Sequence, residues 1–536
     1  MTAAAGCPAH PIVLQSAAGP PQAHSLTSSP GAVGRREIRA GQTVRDRADR
    51  HLAELRRHLA AIFDAPIMAH AQWSVVVRSL DSGEALYERN SRKLMMPASN
   101  MKIVTVAAAS HVLGWDARFV TTLETAAHVR NGTLEGDLIV RGGGDPTLNR
   151  RNGRAAAVLD EWAAALRSAG ISRIAGRVVG DDSSLAGEPL GAGWMWDDLQ
   201  FAYAAPVSAL QFEENAAELT VSAGAAVGEP AMVHLTPGSG LTVVNRVITT
   251  APGGPAQIDC RRRVDRPVVE VTGTLPLPLQ AIDGERVDER PVVRRIGVAN
   301  PALFAAQAVK DALIARGIAV TGDAAGLEDL PWPEAGSDRT ARRVLARTES
   351  PPLREIAQVV NKESQNLYAE TILRAADVAT GGTGAGGESA VLNIVRGWRL
   401  DDGSLLMADG SGMSRYNYVS AALLVQVLTR MYRDPAHRDA FTATLAIAGR
   451  DGTLAGRLRR TRAEGNAAAK TGSLANVRAL SGYVRTRDGE PLVFSIVANS
   501  FAVPGATVTW IIDLAVEVLA NFSRSGPGAR VPVADR

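Results

Sequence analysis

The chain has 536 residues, 46% of them hydrophobic and only 4% aromatic, which is enough length for two to four domains and more than one core. Its 58 basic and 55 acidic side chains leave a formal charge of +3, and nothing in that balance calls for nucleic acid, which needs a clustered basic face. Two cysteines, Cys7 and Cys260, exclude a disulfide framework and a Cys-rich zinc site, and neither an H-E-x-x-H nor a P-loop motif occurs.

In chain order, residues 1–35 are rich in Ala, Pro, Gly and Ser and predict a disordered segment. They show no apolar stretch behind a charged start, so no clear signal peptide is visible from Met1. Residues 36–64 repeat Leu52, Leu55, Leu59 and Ile62 at helical spacing. Two β-rich runs within 72–89 flank Asp81-Ser82-Gly83, a hairpin signal. Pro97 then introduces an Ala-rich helix over 101–113.

From about 118 to 345 short β-rich runs alternate with Gly/Pro turns and few helices, which predicts one or two inserted β-rich domains. Helical character returns at 353–378, 387–398 and 419–432. Gly382 to Gly387 matches G-x-G-x-x-G, but it lies between helix-like stretches and reads as a loop. Residues 466–499 hold three strand-like runs, and 506–521 a helix whose Asp513 and Glu517 make it amphipathic rather than transmembrane. A hairpin near the start and strands near the end predict one antiparallel sheet built from both ends of the chain. The fold class is then α+β, with 36–117 and 346–524 forming one domain, 118–345 the β-rich insertion and 525–536 a flexible tail.

Of the 58 basic residues only five are lysines: Lys93, Lys102, Lys310, Lys362 and Lys470. Arginine serves a surface charge but never gives up its proton, so the lysines mark positions that need a compact or deprotonable amine. Lys102 lies three residues after Ser99, a spacing that puts both on one helix face. Ser364-Gln365-Asn366 falls in a helical region, and Lys470-Thr471-Gly472-Ser473 opens a strand-like run. A Lys-Thr-Gly on one of so few lysines is expected by chance only ~0.03 times, a Ser-x-x-Lys ~0.3 times and a Ser-x-Asn about once.

Chemistry explains why these residue types should meet. Serine attacks only when a base takes its proton, and a desolvated lysine with a lowered pKa can do so. Ser364 can relay a proton to a leaving nitrogen, and Asn366 can orient a substrate backbone. Lys470 and Thr471 offer charge and a donor to a carboxylate, and Gly472 lets a backbone lie close. The N–H groups of Ser99 and Ser473 suit an oxyanion hole. Taken singly, Ser99 could be a helix cap, Ser364 and Asn366 surface polar residues, and Lys470 a solvated strand-end charge. Together, in this order, they point to one site.

These three motifs resemble those of penicillin-binding proteins and class A β-lactamases. Further runs are similar to the D-alanyl-D-alanine carboxypeptidase/endopeptidase family, the class C low-molecular-mass penicillin-binding proteins. They are Pro97–Lys102, Gly142–Pro146, Gly193–Asp198, Tyr203–Leu210, Asn361–Asn366, Asp409–Arg415 and Lys470–Ser473, and the resemblance spans roughly residues 70–520. It implies a β-lactamase/transpeptidase-like domain with a large insertion and no cofactor or metal. It also implies a Ser99 acyl-enzyme on the D-Ala–D-Ala ends of peptidoglycan peptides, β-lactams as covalent inhibitors, and a periplasmic or other extracytoplasmic location. By the same likeness Asp182 and Arg415 hold the charged end of the substrate's diamino acid, and Gln365 stands where aspartate is frequent. Lys93 and Lys310 read as surface charges and Lys362 as support for the Ser364 turn. A β-lactamase or esterase on the same site, or a non-catalytic scaffold that keeps the motifs, are the alternatives. The first of these needs a positioned base for fast deacylation, which the sequence does not identify.

Overall fold

The computed structural model describes residues 32–278, 291–331 and 341–526. Most of the segment expected to be disordered and most of the expected tail lie outside these. The exception is residues 32–35, which form the start of helix α1 (Ala32–Phe63), where Ala32, Arg35 and Arg36 are good helix formers. The helices that follow are α2 (Met101–Leu113), α3 (Arg154–Ser168), α4 (Pro301–Ala315), α5 (Leu353–Lys362), α6 (Asn366–Ala379), α7 (Glu388–Gly397), α8 (Ala421–Arg433), α9 (Arg438–Thr444) and α10 (Gly505–Asn521).

The main sheet is antiparallel and six-stranded, and both ends of the chain build it. Strand Pro491–Asn499 lies between Gln72–Ser79 and Val477–Arg485, with Ile496 opposite both Val75 and Leu480. Every residue of that central strand is buried, as expected for a strand covered on both faces. Side chains alternate between two cores. Val75 and Val77 join Leu52, Leu59 and Phe63 of α1 and Ile512 and Leu519 of α10, while Val76 joins α2, α5, α6 and α8 on the other face. Helix α2 is buried from Met101 to Ser110, so its apolar surface runs all round, broken by Lys102, Thr105 and Ser110.

The insertion is richer in helix than its sequence texture suggested. Leu138–Arg141 and Val178–Asp181 pair in parallel, and such a pair requires a crossover, which α3 supplies. Val158, Leu159, Trp162 and Leu166 form its buried stripe. Asn300 caps α4, accepting the Leu303 N–H at 2.9 Å, and Pro301 takes the first helical position. Two further three-stranded sheets, one holding Ala216–Ser222 and the other Val268–Pro276, share a separate apolar core.

Two anchors place the segment that precedes α2. Strand Leu94–Met95 pairs with Tyr418–Ser420, and the Asn499 amide at the end of the central strand holds both the N–H (2.8 Å) and the carbonyl (3.0 Å) of Met96. The backbone leading to Ser99 is therefore tied directly to the main sheet.

Candidate active site

Ser99 sits in a 3-10 turn, Ala98–Asn100, that runs into α2. The preceding Ala98 has φ +47°, a left-handed conformation that costs an alanine roughly 1–2 kcal/mol. Gly412 explains how it is accommodated. At φ +81° it packs so closely that an added Cβ would lie 1.9 Å from the Ala98 carbonyl oxygen.

Lys102, the second residue of α2, is fully buried and its Nζ lies 3.0 Å from Ser99 Oγ. The same nitrogen reaches Asn366 Oδ1 at 2.6 Å and the Ser411 carbonyl at 2.7 Å. Burial pushes its pKa down to about 7, against the pull of Asp409 and Glu370 in the opposite direction. Lys470, also fully buried on strand Ala468–Leu474, donates to Ser364 Oγ at 2.8 Å and to the Thr471 carbonyl at 2.9 Å. Burial, helped by the charge of Lys102, drives its pKa well below the usual lysine value.

Ser364 lies in the turn between α5 and α6 with φ +61°. The two residues before it are each held by an ion pair. Lys362 Nζ donates to Asp451 Oδ2 at 2.5 Å, and Glu363 pairs with Arg151 of the insertion. Asn366 opens α6 with both ends of its amide engaged: Oδ1 accepts from Lys102, and Nδ2 donates to the Tyr203 carbonyl at 2.8 Å. Its position thus joins the base to the insertion, a coupling the motif alone did not suggest. Gly472 allows strand Ala468–Leu474 to run against the nucleophile turn, where a Cβ would lie 2.6 Å from the Pro97 carbonyl. Thr471 Oγ1 bonds Thr453 Oγ1 at 2.9 Å, and the Asn100 amide donates to the Lys470 carbonyl at 3.1 Å.

A cleft of about 460 Å³ opens on this group, and Ser99, Ser364, Asn366, Arg415 and Ser473 all border it. A cavity of about 530 Å³ between the first hairpin and α8 is larger, but none of the motif residues lines it. Of the sequence-predicted residues, Lys102, Lys470, Thr471 and Gly472 do not line the cleft itself but belong to the contacts just described, whereas Asp182 belongs to neither. It stands at the end of strand Val178–Asp181 and accepts a hydrogen bond from Ser208 Oγ at 2.9 Å. The carboxylates that do border the cleft are Asp197 and Asp198, on a 3-10 turn, with Tyr203 OH donating to Asp198 at 2.6 Å. Their run, Gly193–Asp198, was recognisable in sequence, but only folding shows which acid faces inward. Glu370 and Asp409 organise the loop beneath Lys102; Asp409 opens the family-like run Asp409–Arg415, whereas Glu370 escaped the motif reading, although it follows Asn366 by one helical turn.

A sequence model of the D-Ala-D-Ala carboxypeptidase 3 (S13) family matches residues 55–520. The D-alanyl-D-alanine carboxypeptidase of Actinomadura sp. (strain R39) is 36% identical over 482 residues, covering 87% of this chain and 84% of that protein. The D-alanyl-D-alanine carboxypeptidase DacB of Haemophilus influenzae is 28% identical, covering 80% of this chain and 85% of its own length. The crystal structure of penicillin binding protein 4 (dacB) from Haemophilus influenzae superposes with a TM-score of 0.71 at 26% identity, over 85% of this chain and 99% of that one. The same protein complexed with a β-lactam gives a TM-score of 0.67 at 25% identity, covering 86% of this chain and 100% of that one.

Proposed function

The chain belongs to the D-Ala-D-Ala carboxypeptidase 3 (S13) family and is a serine-type D-Ala-D-Ala carboxypeptidase; from that premise we propose that Ser99 is its nucleophile, acting on peptidoglycan stem peptides and acylated by β-lactams. One observation carries the assignment: Ser99 Oγ faces a fully buried amine at 3.0 Å, beside a second serine–lysine pair, on the wall of one cleft.

The steps follow from the contacts. Ser99 Oγ adds to the carbonyl carbon of the penultimate D-Ala while its proton passes to neutral Lys102. The carbonyl oxygen becomes an oxyanion, which the N–H groups of Ser99 and Ser473 stabilise. The C–N bond then breaks, and the departing nitrogen takes a proton from Ser364, which is replaced through Lys470 by the proton that Lys102 accepted, so that Lys102 is neutral again. Water cleaves the resulting ester with Lys102 again as base. The Thr471 and Ser473 hydroxyls donate to the substrate's terminal carboxylate, with Lys470 behind them. At the other end of the cleft Arg415 and the Asp197–Asp198 pair offer opposite charges, which suits a zwitterionic diamino acid better than Asp182 could. The substrate is a cell-wall polymer, so the chain works in the cell envelope outside the cytoplasmic membrane. Among the described residues no helix is long and apolar enough to cross one.

Purified protein should form a covalent adduct with a fluorescent penicillin, and the mass of the modified peptide should place it on Ser99. Ser99→Ala should abolish labelling with an unchanged circular dichroism spectrum. Absence of any adduct on wild-type protein would favour the scaffold alternative, and turnover of penicillin at many cycles per second would favour a β-lactamase.

The same assay reads the Ser364 turn. Lys362→Met removes a half-exposed ion pair that by itself is worth at most about 1 kcal/mol, so Tm should fall by only about 2–4 °C. Acylation should nonetheless slow by roughly tenfold, because the left-handed Ser364 depends on its neighbours and small misplacement of a reacting group is costly. Acylation at the wild-type rate would mean the turn holds without the pair.

A further inference from the structure

We propose that Glu370 is a positioning residue for acylation, acting through Lys102: from α6 it holds the Ser411 carbonyl against the amine that activates Ser99. The inference rests on Ser99 being the nucleophile and Lys102 its base.

Glu370 is only 5% exposed, and both of its oxygens are used. Oε2 accepts the Gly410 N–H at 3.0 Å and Oε1 the Ser411 N–H at 2.7 Å, so one carboxylate grips two successive peptide groups. Arg374, one turn further along α6, is committed elsewhere, donating to the carbonyls of Ala186 and Glu188. A buried carboxylate held by peptide N–H groups is expensive to desolvate, and an apolar side chain would pack the helix more cheaply.

What the grip achieves follows from counting donors. A neutral lysine amine has two N–H groups and one lone pair. The Ser411 carbonyl and Asn366 Oδ1 can only accept, so they take the two N–H groups, and the lone pair is left facing the Ser99 hydroxyl. Asn366 and Glu370 are four residues apart on one face of α6. A single helix therefore supplies one acceptor directly and the other by way of the 410–411 loop. If that loop drifted, the direction of the lone pair would no longer be set.

Charge adds a second handle. Lys102 faces Glu370 on α6, Asp409 on the loop and Lys470 on the strand, while Glu370 faces Asp409 and Arg374. Burial and Asp409 also push Glu370 up, against the hydrogen bonds from Gly410 and Ser411 that hold it down.

The test is Glu370→Gln, which keeps the shape and one acceptor but turns an NH₂ toward a peptide N–H. Acylation by a fluorescent penicillin should slow at least tenfold, with pre-acylation affinity unchanged. The acid limb should move to lower pH, because Lys102 loses a favourable charge. A rate within twofold of wild type overturns the proposal, and so does a slower rate that comes with lost pre-acylation affinity, which a general collapse of the cleft would produce. Thr105→Val, which frees the Gly410 carbonyl of the same loop from its 2.7 Å bond without altering charge, should slow acylation on an unmoved limb. If Glu370→Gln does not accumulate folded, the Thr105→Val rate decides, and an unchanged rate overturns the proposal. Wild-type protein unlabelled at Ser99 would instead remove the acyl-enzyme reading beneath it.

Discussion

Lys102→Arg is expected to slow acylation of Ser99 by about 10³-fold, the scale at which positioned general bases contribute. The substitution keeps a positive charge and a donor in a pocket that already offers three acceptors. What it removes is the ability to take a proton, since a guanidinium stays charged at any working pH. Labelling kinetics with a fluorescent penicillin, beside circular dichroism to check the fold, make the measurement. Activity surviving in Lys102→Arg would show that Lys102 is not the base.

The pH dependence follows with a definite sign. Burial holds the amine near 7, so acylation by wild-type protein should fall as pH drops through that value. Stability responds to the same group. Between about 7 and the usual lysine value of 10.5 the unfolded chain holds a proton that the folded one has lost, so stability should rise with pH across that window. Below about 7 the amine is charged in both states and the cost of burying it is fully present.

Gly412→Ala is expected to damage both fold and chemistry. The residue sits at φ +81°, and its Cβ would lie 1.9 Å from the Ala98 oxygen and 2.5 Å from the Ala98 carbonyl carbon. Neither side can yield easily. The Gly412 N–H is held by Asp409 at 2.7 Å, and two residues before Ala98 both polar groups of the Met96 backbone are held by Asn499. Left-handed strain of roughly 1–2 kcal/mol adds to an overpacking cost of roughly 1–3 kcal/mol, which a urea midpoint should register. Relief by moving Ala98 would carry Ser99 with it, and displacement of about 1 Å costs on the order of 10²-fold in rate. A wild-type midpoint and rate would show that the two turns are not in register as described.

Much of the site was legible before folding because its chemistry restricts residue type. Acyl transfer needs a hydroxyl, a deprotonable amine and a close-approach glycine, and in a chain with five lysines Ser99, Lys102, Ser364 and Lys470 stand out. Asp182 shows the limit. An acidic residue near a family-like run can face any direction, and here it turns to Ser208 while Asp197 and Asp198 border the cleft. Glu370 carries no motif, because its partners are the peptide groups of Gly410 and Ser411, and backbone groups leave no trace in residue identity. The helices of the insertion were under-read because frequent Gly/Pro turns masked the stripe of Val158, Leu159, Trp162 and Leu166.

The sequence by itself determined the α+β class and the assembly of one sheet from both chain ends, and it singled out the residues proposed for the reaction, since hydrophobic period and side-chain chemistry are local properties. Tertiary structure alone decided which carboxylates face the cleft, how Ala98 and Ser364 are held in left-handed conformations, and which acceptors direct the lone pair of Lys102. Those depend on backbone groups brought together across hundreds of residues, and only the packed chain fixes where a carbonyl points.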